Sequence, residues 1–201
     1  MHIADGVLGT PVLMAGIAMT LAGTVLGLRK LDDDKIPFAA VLSACFFVAS
    51  LIHVPLGPSS VHLIFNGLIG LILGWLAFPV MLIALVLQAI FFGFGGVVVL
   101  GVNCLNIALP AVMVGALLRP LRHRIPARIL GFLAGSGAVL LTGIMVSLSL
   151  YLSGEAFSST ARVVFWGNLP LSVLEGVISG FIIVLISKVK PEVLNGVQSN
   201  A

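Results

Sequence analysis

ILGFLAGSGAVLLTGIMVSLSLYL, from Ile129 to Leu152, runs for 24 residues without a charged side chain. A helix needs about 20 apolar residues to cross the hydrocarbon core of a bilayer, within a range of about 17–25. The stretch therefore reads as a membrane-spanning helix. It is preceded by the arginine-rich stretch Arg119–Arg128, with Pro120 and Pro126, and followed by Ser153–Pro170, which reads as the longest loop. Working outward, six more apolar segments appear: Thr10–Leu28, Pro37–His53, Val61–Trp75, Phe78–Phe92, Val97–Leu118 and Leu169–Ser187. The third and fourth segments in chain order, Val61–Trp75 and Phe78–Phe92, are short for a full span and fit a tilted pair or a re-entrant hairpin, an even number of crossings either way. The expected fold is an all-α membrane protein, a polytopic bundle of about seven transmembrane helices forming one domain over residues 1–201.

Composition agrees. Hydrophobic residues make up 60% of the chain and charged residues 8%, against about 25% charged in soluble domains; the mean hydropathy is +1.24. No basic face interleaved with aromatics is present, which argues against a nucleic-acid partner. Cys45 and Cys104 lie inside apolar runs without a paired spacing and read as small hydrophobes. The first basic residue, Arg29, follows the first apolar run, so the basic start of a removable signal is missing and Met1 is expected to stay on the chain.

Seven crossings put Arg29, Lys30, Lys35, Arg119, Arg122, Arg124, Arg128, Lys188 and Lys190 on one side and only Arg162 on the other. Cytoplasmic loops are the ones enriched in Lys and Arg, so the N-terminus is expected outside and the C-terminus in the cytoplasm. Small-residue pairs at helical spacing (Gly23/Gly27, Gly70/Gly74, Gly131/Gly135, Gly176/Gly180, Ala40/Ala44) let helices approach closely in lipid.

Polar side chains within apolar helices are expensive and often functional. His53, His62, Asn66, Gln88, Asn103, Asn106 and Glu175 all fall toward the outer side of this topology, as one layer. His2 lies on the same side. An α-amine titrates near 7.7–8, so a metal can displace its proton. The Met1 amine, the deprotonated His2 amide and the His2 imidazole would close a five- and a six-membered chelate ring, and one more imidazole, from His53 or His62, would complete a plane of four nitrogens. Such a set suits Ni(II) or Cu(II), and Co(II) in a planar state, better than the tetrahedral preference of zinc.

Met1-His2-Ile3-Ala4-Asp5-Gly6 resembles the MHI-x-D/E-G opening of the CbiM/NikM family, the substrate-binding membrane subunits of energy-coupling factor transporters for cobalt and nickel. Further stretches are similar to that family: Phe46–Ser50 with Pro55 and Gly57–His62, Gln88-Ala89 with Phe92–Gly96, Gly101–Asn103 with Asn106, and Leu174–Gly176. The resemblance covers essentially the whole chain. It implies seven helices, and a metal site of the Met1 amine, the His2 amide and imidazole, and His62. His62 is followed by Leu63–Gly67 rather than the His-Pro-Thr-Gly of many cobalt members, so cobalt and nickel both stay open. Asp5, Asn66, Gln88, Asn103 and Glu175 are candidates for orienting the ligands from behind.

There is no GxxxxGK[S/T] phosphate loop, so the chain has no ATPase motif of its own. The resemblance implies partners: a transmembrane coupling subunit, cytoplasmic ATPase subunits and, in this group, often a small accessory membrane subunit. Ala40 and Ala44 are the expected docking face for the coupling subunit. It also implies the cytoplasmic membrane of a prokaryote, and a transported ion rather than a resident cofactor. A membrane hydrolase would need HExxH or a paired catalytic set, and Glu175 is alone. A passive or secondary metal carrier working without an ATPase is the alternative.

Overall fold

The computed structural model describes residues 2–56 and 59–195. Seven helices carry these residues back and forth: α1 (Thr10–Leu28), α2 (Ile36–Ala49), α3 (Asn66–Leu73), α4 (Ala77–Phe92), α5 (Leu100–Leu118), α6 (Ala127–Leu152) and α7 (Ser158–Val189), with a short α8 (Pro191–Asn195) after them. Between α2 and α3 stands a small antiparallel hairpin, β1 (His53–Leu56) and β2 (Ser59–His62), in which His53 pairs with His62 and Leu56 with Ser59. Among the described residues five helical stretches have, by length and composition alone, enough apolar chain to cross a membrane: Thr10–Leu28, Asn66–Phe92, Leu100–Leu121, Ala127–Leu152 and Glu155–Val189.

With apolar side chains on every side of these helices, small residues decide which face turns inward. In α1 the buried positions are Gly16, Thr20, Gly23 and Gly27, while Met14, Met19, Leu21 and Val25 remain exposed toward the region lipid would occupy. A Cβ on Gly23 would stand 2.6 Å from the Phe78 ring, and one on Gly27 would stand 2.5 Å from Trp75 O. The same close approach joins α6 to α7: a Cβ on Gly131 would meet Ser179 O at 2.5 Å, and one on Gly135 would meet Glu175 O at 2.6 Å. The glycine pairs are thus spent on packing within the chain.

The stretch Asn66–Phe92 doubles back. Asn66 lies beside Ile107 and Thr142, Gly70 beside Ala111, and the Arg119 guanidinium reaches Gly70 O and Leu71 O. So α3 runs alongside α5 in the same direction, for only about 12 Å at 1.5 Å per residue. At Gly74 (φ 61°) the helix breaks, and α4 returns to the end of the bundle where α5 begins. The Val61–Trp75 segment is therefore a short central helix entered through extended chain. The chain turns because only glycine takes that φ without strain.

Contacts then define two ends. The end of α1, the start of α2 and residues 75–79 meet; Arg119 meets Gly74; and Arg122 Nη1 donates to Leu194 O. The nine basic residues of the α1–α2 loop, the α5–α6 loop and the end of α7 gather there. The N-terminal segment, residues 93–99 and Ser153 occupy the other end, where Gly9 N–H donates to Ser153 Oγ (3.2 Å).

Two further segments depart from the sequence reading. The long loop expected over Ser153–Pro170 is mostly helix, because α7 begins at Ser158 and carries Pro170 inside it. Side chains on either side of Pro170 bond to helix carbonyls, Asn168 Nδ2 to Val164 O (2.7 Å) and Ser172 Oγ to Leu169 O (2.7 Å), which fits the tolerance of proline in membrane helices. Pro37–His53 shortens to Ile36–Ala49, as His53 joins the hairpin. Cys104 is buried as expected, whereas Cys45 is exposed.

Candidate metal centre

The N-terminal segment is drawn into the bundle. Ile3 is fully buried; its N–H donates to Asn103 Oδ1 (2.9 Å), and Asn103 Nδ2 donates to Ile3 O (3.1 Å). Further on, Asp5 N–H donates to Gly95 O (3.0 Å), and Asp5 Oδ1 accepts from Val99 N–H (3.1 Å) at the start of α5, where a helix favours negative charge. The connecting loop is shaped by Gly93, Gly95 and Gly96, all with positive φ, and any side chain on Gly96 would run into the Asp5 carboxylate.

These anchors bring His2 against His62. Their rings stack with centroids 4.8 Å apart and planes 24° apart, and the Phe94 ring stands 5.9 Å from that of His2. Both histidines are buried, at 6% and 2% exposure. Nδ1 of His62 lies 2.9 Å from Leu63 O. A carbonyl only accepts, so Nδ1 carries the proton and, in the neutral ring, Nε2 carries the lone pair. Two imidazoles bound to adjacent positions of one ion, at about 2 Å each, would place their centroids about 4.5 Å apart. The observed pair matches that separation, and its nearly parallel planes must tilt apart for both in-plane lone pairs to meet one ion.

The family model for the cobalt uptake substrate-specific transmembrane region, CbiM, matches residues 2–193. The chain belongs to the CbiM family. It is 42% identical over 204 residues to a Haemophilus influenzae protein provisionally named a metal transport protein, covering 99% of both chains. It is 29% identical to the cobalt transport protein CbiM of Sorangium cellulosum, over 98% of this chain and 96% of that one. It is also 38% identical to the fused nickel transport protein NikMN of Rhodobacter capsulatus, over 58% of this chain and 35% of the longer fusion. Crystal structures of transition metal transporters share the fold. One, of a truncated protein, has a TM-score of 0.78 at 25% identity, covering 94% of this chain and 99% of that one. The other has a TM-score of 0.79 at 26% identity, covering 96% and 95%. This is a multi-pass membrane protein of a cobalt and nickel transport family.

In this CbiM-family chain no three His, Cys, Asp or Glu side chains converge among the described residues. The main chain of the N-terminal segment offers further donors beside the two imidazoles. Met1 lies outside the described residues, as does the side chain of His53, whose backbone pairs with that of His62.

The other expected residues are held by different partners. Asn103 and Asp5 belong to the anchoring of the N-terminal segment. Asn66 sits deeper, donating through Nδ2 to Ile107 O (3.1 Å) and Thr142 Oγ1 (2.9 Å), and so ties the start of α3 to α5 and α6. Asn106 pairs with Ser149 (3.1 Å). Glu175, expected about two turns into its helix, is 17 residues from the start of the longer α7, and accepts from Ile64 N–H and from Phe65 N–H (3.1 Å). Gln88 is fully buried, with no hydrogen-bond partner for either amide atom among the described residues. Ala40 and Ala44 are exposed on α2 and line an apolar groove of about 480 Å³ with Leu28, Leu31, Pro79 and Val80.

Sequence reasoning had not singled out Ile3, Phe94 or Gly96 as parts of the site. The glycine cluster Gly93-Phe94-Gly95-Gly96 after an apolar helix was the available signal, since such a cluster marks a tight turn or close backbone approach.

Proposed function

We propose that this chain is the metal-capturing membrane component of an energy-coupling factor importer for cobalt or nickel. The burial of His2 beside His62, with ring centroids 4.8 Å apart, supports the reading. The Met1 amine, the His2 amide and imidazole, and the His62 imidazole form a plane of four nitrogens around the ion, a set that suits Ni(II) or planar Co(II). The pair lies at the end of the bundle opposite the basic loops. By the positive-inside rule those loops are cytoplasmic, so the ion is captured from outside.

ATP hydrolysis is done by partner subunits. Relatives support a partnered assembly: NikMN of Rhodobacter capsulatus is named as a fusion, and a Methanocorpusculum labreanum protein, 28% identical over 96% of this chain, is provisionally named a fused cobalt transport protein CbiMQ. The coupling subunit docks on the groove of Ala40 and Ala44, where small side chains let a partner helix approach. A small accessory membrane subunit completes the assembly. Leucines at both positions (A40L with A44L) then abolish copurification of the coupling subunit; an intact complex would rule out that face.

The test of capture is stoichiometric binding of nickel and cobalt to the purified protein with a native Met1, to a version carrying one extra N-terminal residue, and to His62→Ala. Loss of binding in both altered proteins, with helical content retained, is expected. Binding by the extended protein equal to the native one would remove the terminal amine from the site.

A further inference from the structure

One peptide unit links α7 to the His62 ring. Its carbonyl, on Leu63, accepts His62 Nδ1–H at 2.9 Å; its N–H, on Ile64, donates to Glu175 Oε1. The next N–H, on Phe65, is shared between the two carboxyl oxygens at 3.1 and 3.2 Å. Glu175 and Ile64 are both fully buried, and α7 is locked at this level by the close approach of Gly135 to Glu175 O.

The joint between β2 and α3 needs such a grip. Phe65 stands at φ 47°, ψ 22°, left-handed backbone that a bulky residue rarely adopts. Asn66 fixes the start of α3 just beyond, but the two N–H groups of the joint itself are held by Glu175, and each buried donor left unpaired is costly.

We infer that Glu175 is a positioning residue for the metal site. Its carboxyl group orients the Leu63–Ile64 peptide, and that peptide's carbonyl holds His62 in the Nδ1–H form, which leaves the Nε2 lone pair for the ion. This rests on the reading of His62 as a ligand. A peptide whose N–H is bonded to a carboxyl presents a more polarised carbonyl, and a ligating imidazole whose other N–H is firmly held is a better donor. A residue that merely capped α3 would satisfy the same N–H groups without governing the state of the ring.

The experiment compares metal-free wild type, Glu175→Gln and Glu175→Met labelled with 15N-histidine. The His62 ring nitrogens, assigned by the signals missing from His62→Ala, are read by NMR, and Ni(II) affinity is titrated on the same samples. Wild type is expected in the Nδ1–H form. Methionine, of similar size but with no strong acceptor, mixes the two ring forms and weakens nickel binding about tenfold or more; glutamine, with one acceptor left, falls between. A wild-type His62 in the Nε2–H form overturns the inference even where the methionine variant fails to fold. So does a methionine variant that keeps the wild-type ring pattern and affinity. Undiminished nickel binding by His62→Ala would instead sink the reading of the site, while the ring signals still judge the hold of Glu175 on His62.

Discussion

Ile3 and Asn103 exchange two hydrogen bonds, as two strand residues would, although Asn103 belongs to a helix. A side-chain amide has the donor and acceptor spacing of a peptide, so Asn103 completes the N-terminal segment as a substitute β-partner. With the bonds of Asp5 to Gly95 and Val99, this exchange draws the segment that carries His2 into the apolar bundle.

Asn103→Ala leaves the N–H and C=O of a fully buried residue without these partners. At about 1–3 kcal/mol for each unsatisfied buried group, docking of the segment becomes unfavourable while α1–α7 persist. Hydrogen exchange at Ile3 should rise to the level of exposed backbone, and nickel affinity should fall at least tenfold. Unchanged protection at Ile3 would show that other contacts hold the segment.

The glycines of the 93–96 loop separate conformational strain from collision. Gly93 (φ 66°) has nothing within 4 Å of a would-be Cβ, whereas at Gly96 (φ 125°) the Asp5 carboxylate occupies that space. Gly93→Ala should cost about 1–2 kcal/mol, the penalty of left-handed backbone alone. Gly96→Ala should cost more and also weaken metal binding, and Asp5→Ala in the same chain should recover part of the stability. Equal melting temperatures for the two single variants would contradict this account.

Helix packing gives an internal control. A side chain on Gly70 would overlap the Ala111 backbone, while one on Gly137 would meet only Val114 methyls at 3.7 and 3.8 Å. Gly70→Ala should therefore destabilise the bundle by about 3 kcal/mol or prevent folding, as overpacking against backbone does. Gly137→Ala should be neutral or stabilising, since glycine within a helix costs roughly 0.5–1 kcal/mol relative to alanine. Thermal unfolding in detergent measures both.

Arg119 closes the far end of α3 by donating Nε–H to Leu71 O (2.9 Å) and Nη2–H to Gly70 O (2.6 Å). A lysine cannot bridge two carbonyls with a planar fork. Arg119→Lys should lower stability by about 1–2 kcal/mol, in line with hydrogen bonds to charged groups, without changing metal affinity at the opposite end. A loss of affinity matching the loss of stability would show that the two ends are coupled.

Long uninterrupted segments were the most legible part of the chain. Thr10–Leu28 matches α1 at both boundaries, and Phe78–Phe92 and Ile129–Leu152 match α4 and α6 within two residues at each boundary. The misread parts are those where a neighbour overrides composition. Residues 158–168 fall in the stretch that reads as the longest loop, yet they are helical against α6, with Ser147 Oγ bonded to Ala161 O (2.9 Å) and Asn168 against Gly143. The hairpin of His53–His62 is too short and mixed to announce itself.

The sequence by itself determined that the chain lives in a membrane, which residues break its spans, and that basic residues collect on one side, because these follow from side-chain composition and spacing alone. Depth and partnership were decided only by the tertiary structure. Glu175 met the peptide after His62, and Asn66 met Ile107 and Thr142, because α7 is longer and α3 shorter than their apolar runs suggest. His2 came to face His62 because Ile3 bonds to Asn103, and Asp5 to Gly95 and Val99, 90 to 100 residues away in the chain, and these bonds fold the N-terminal segment inward. No local pattern encodes that meeting; it arises where buried peptide groups can be satisfied.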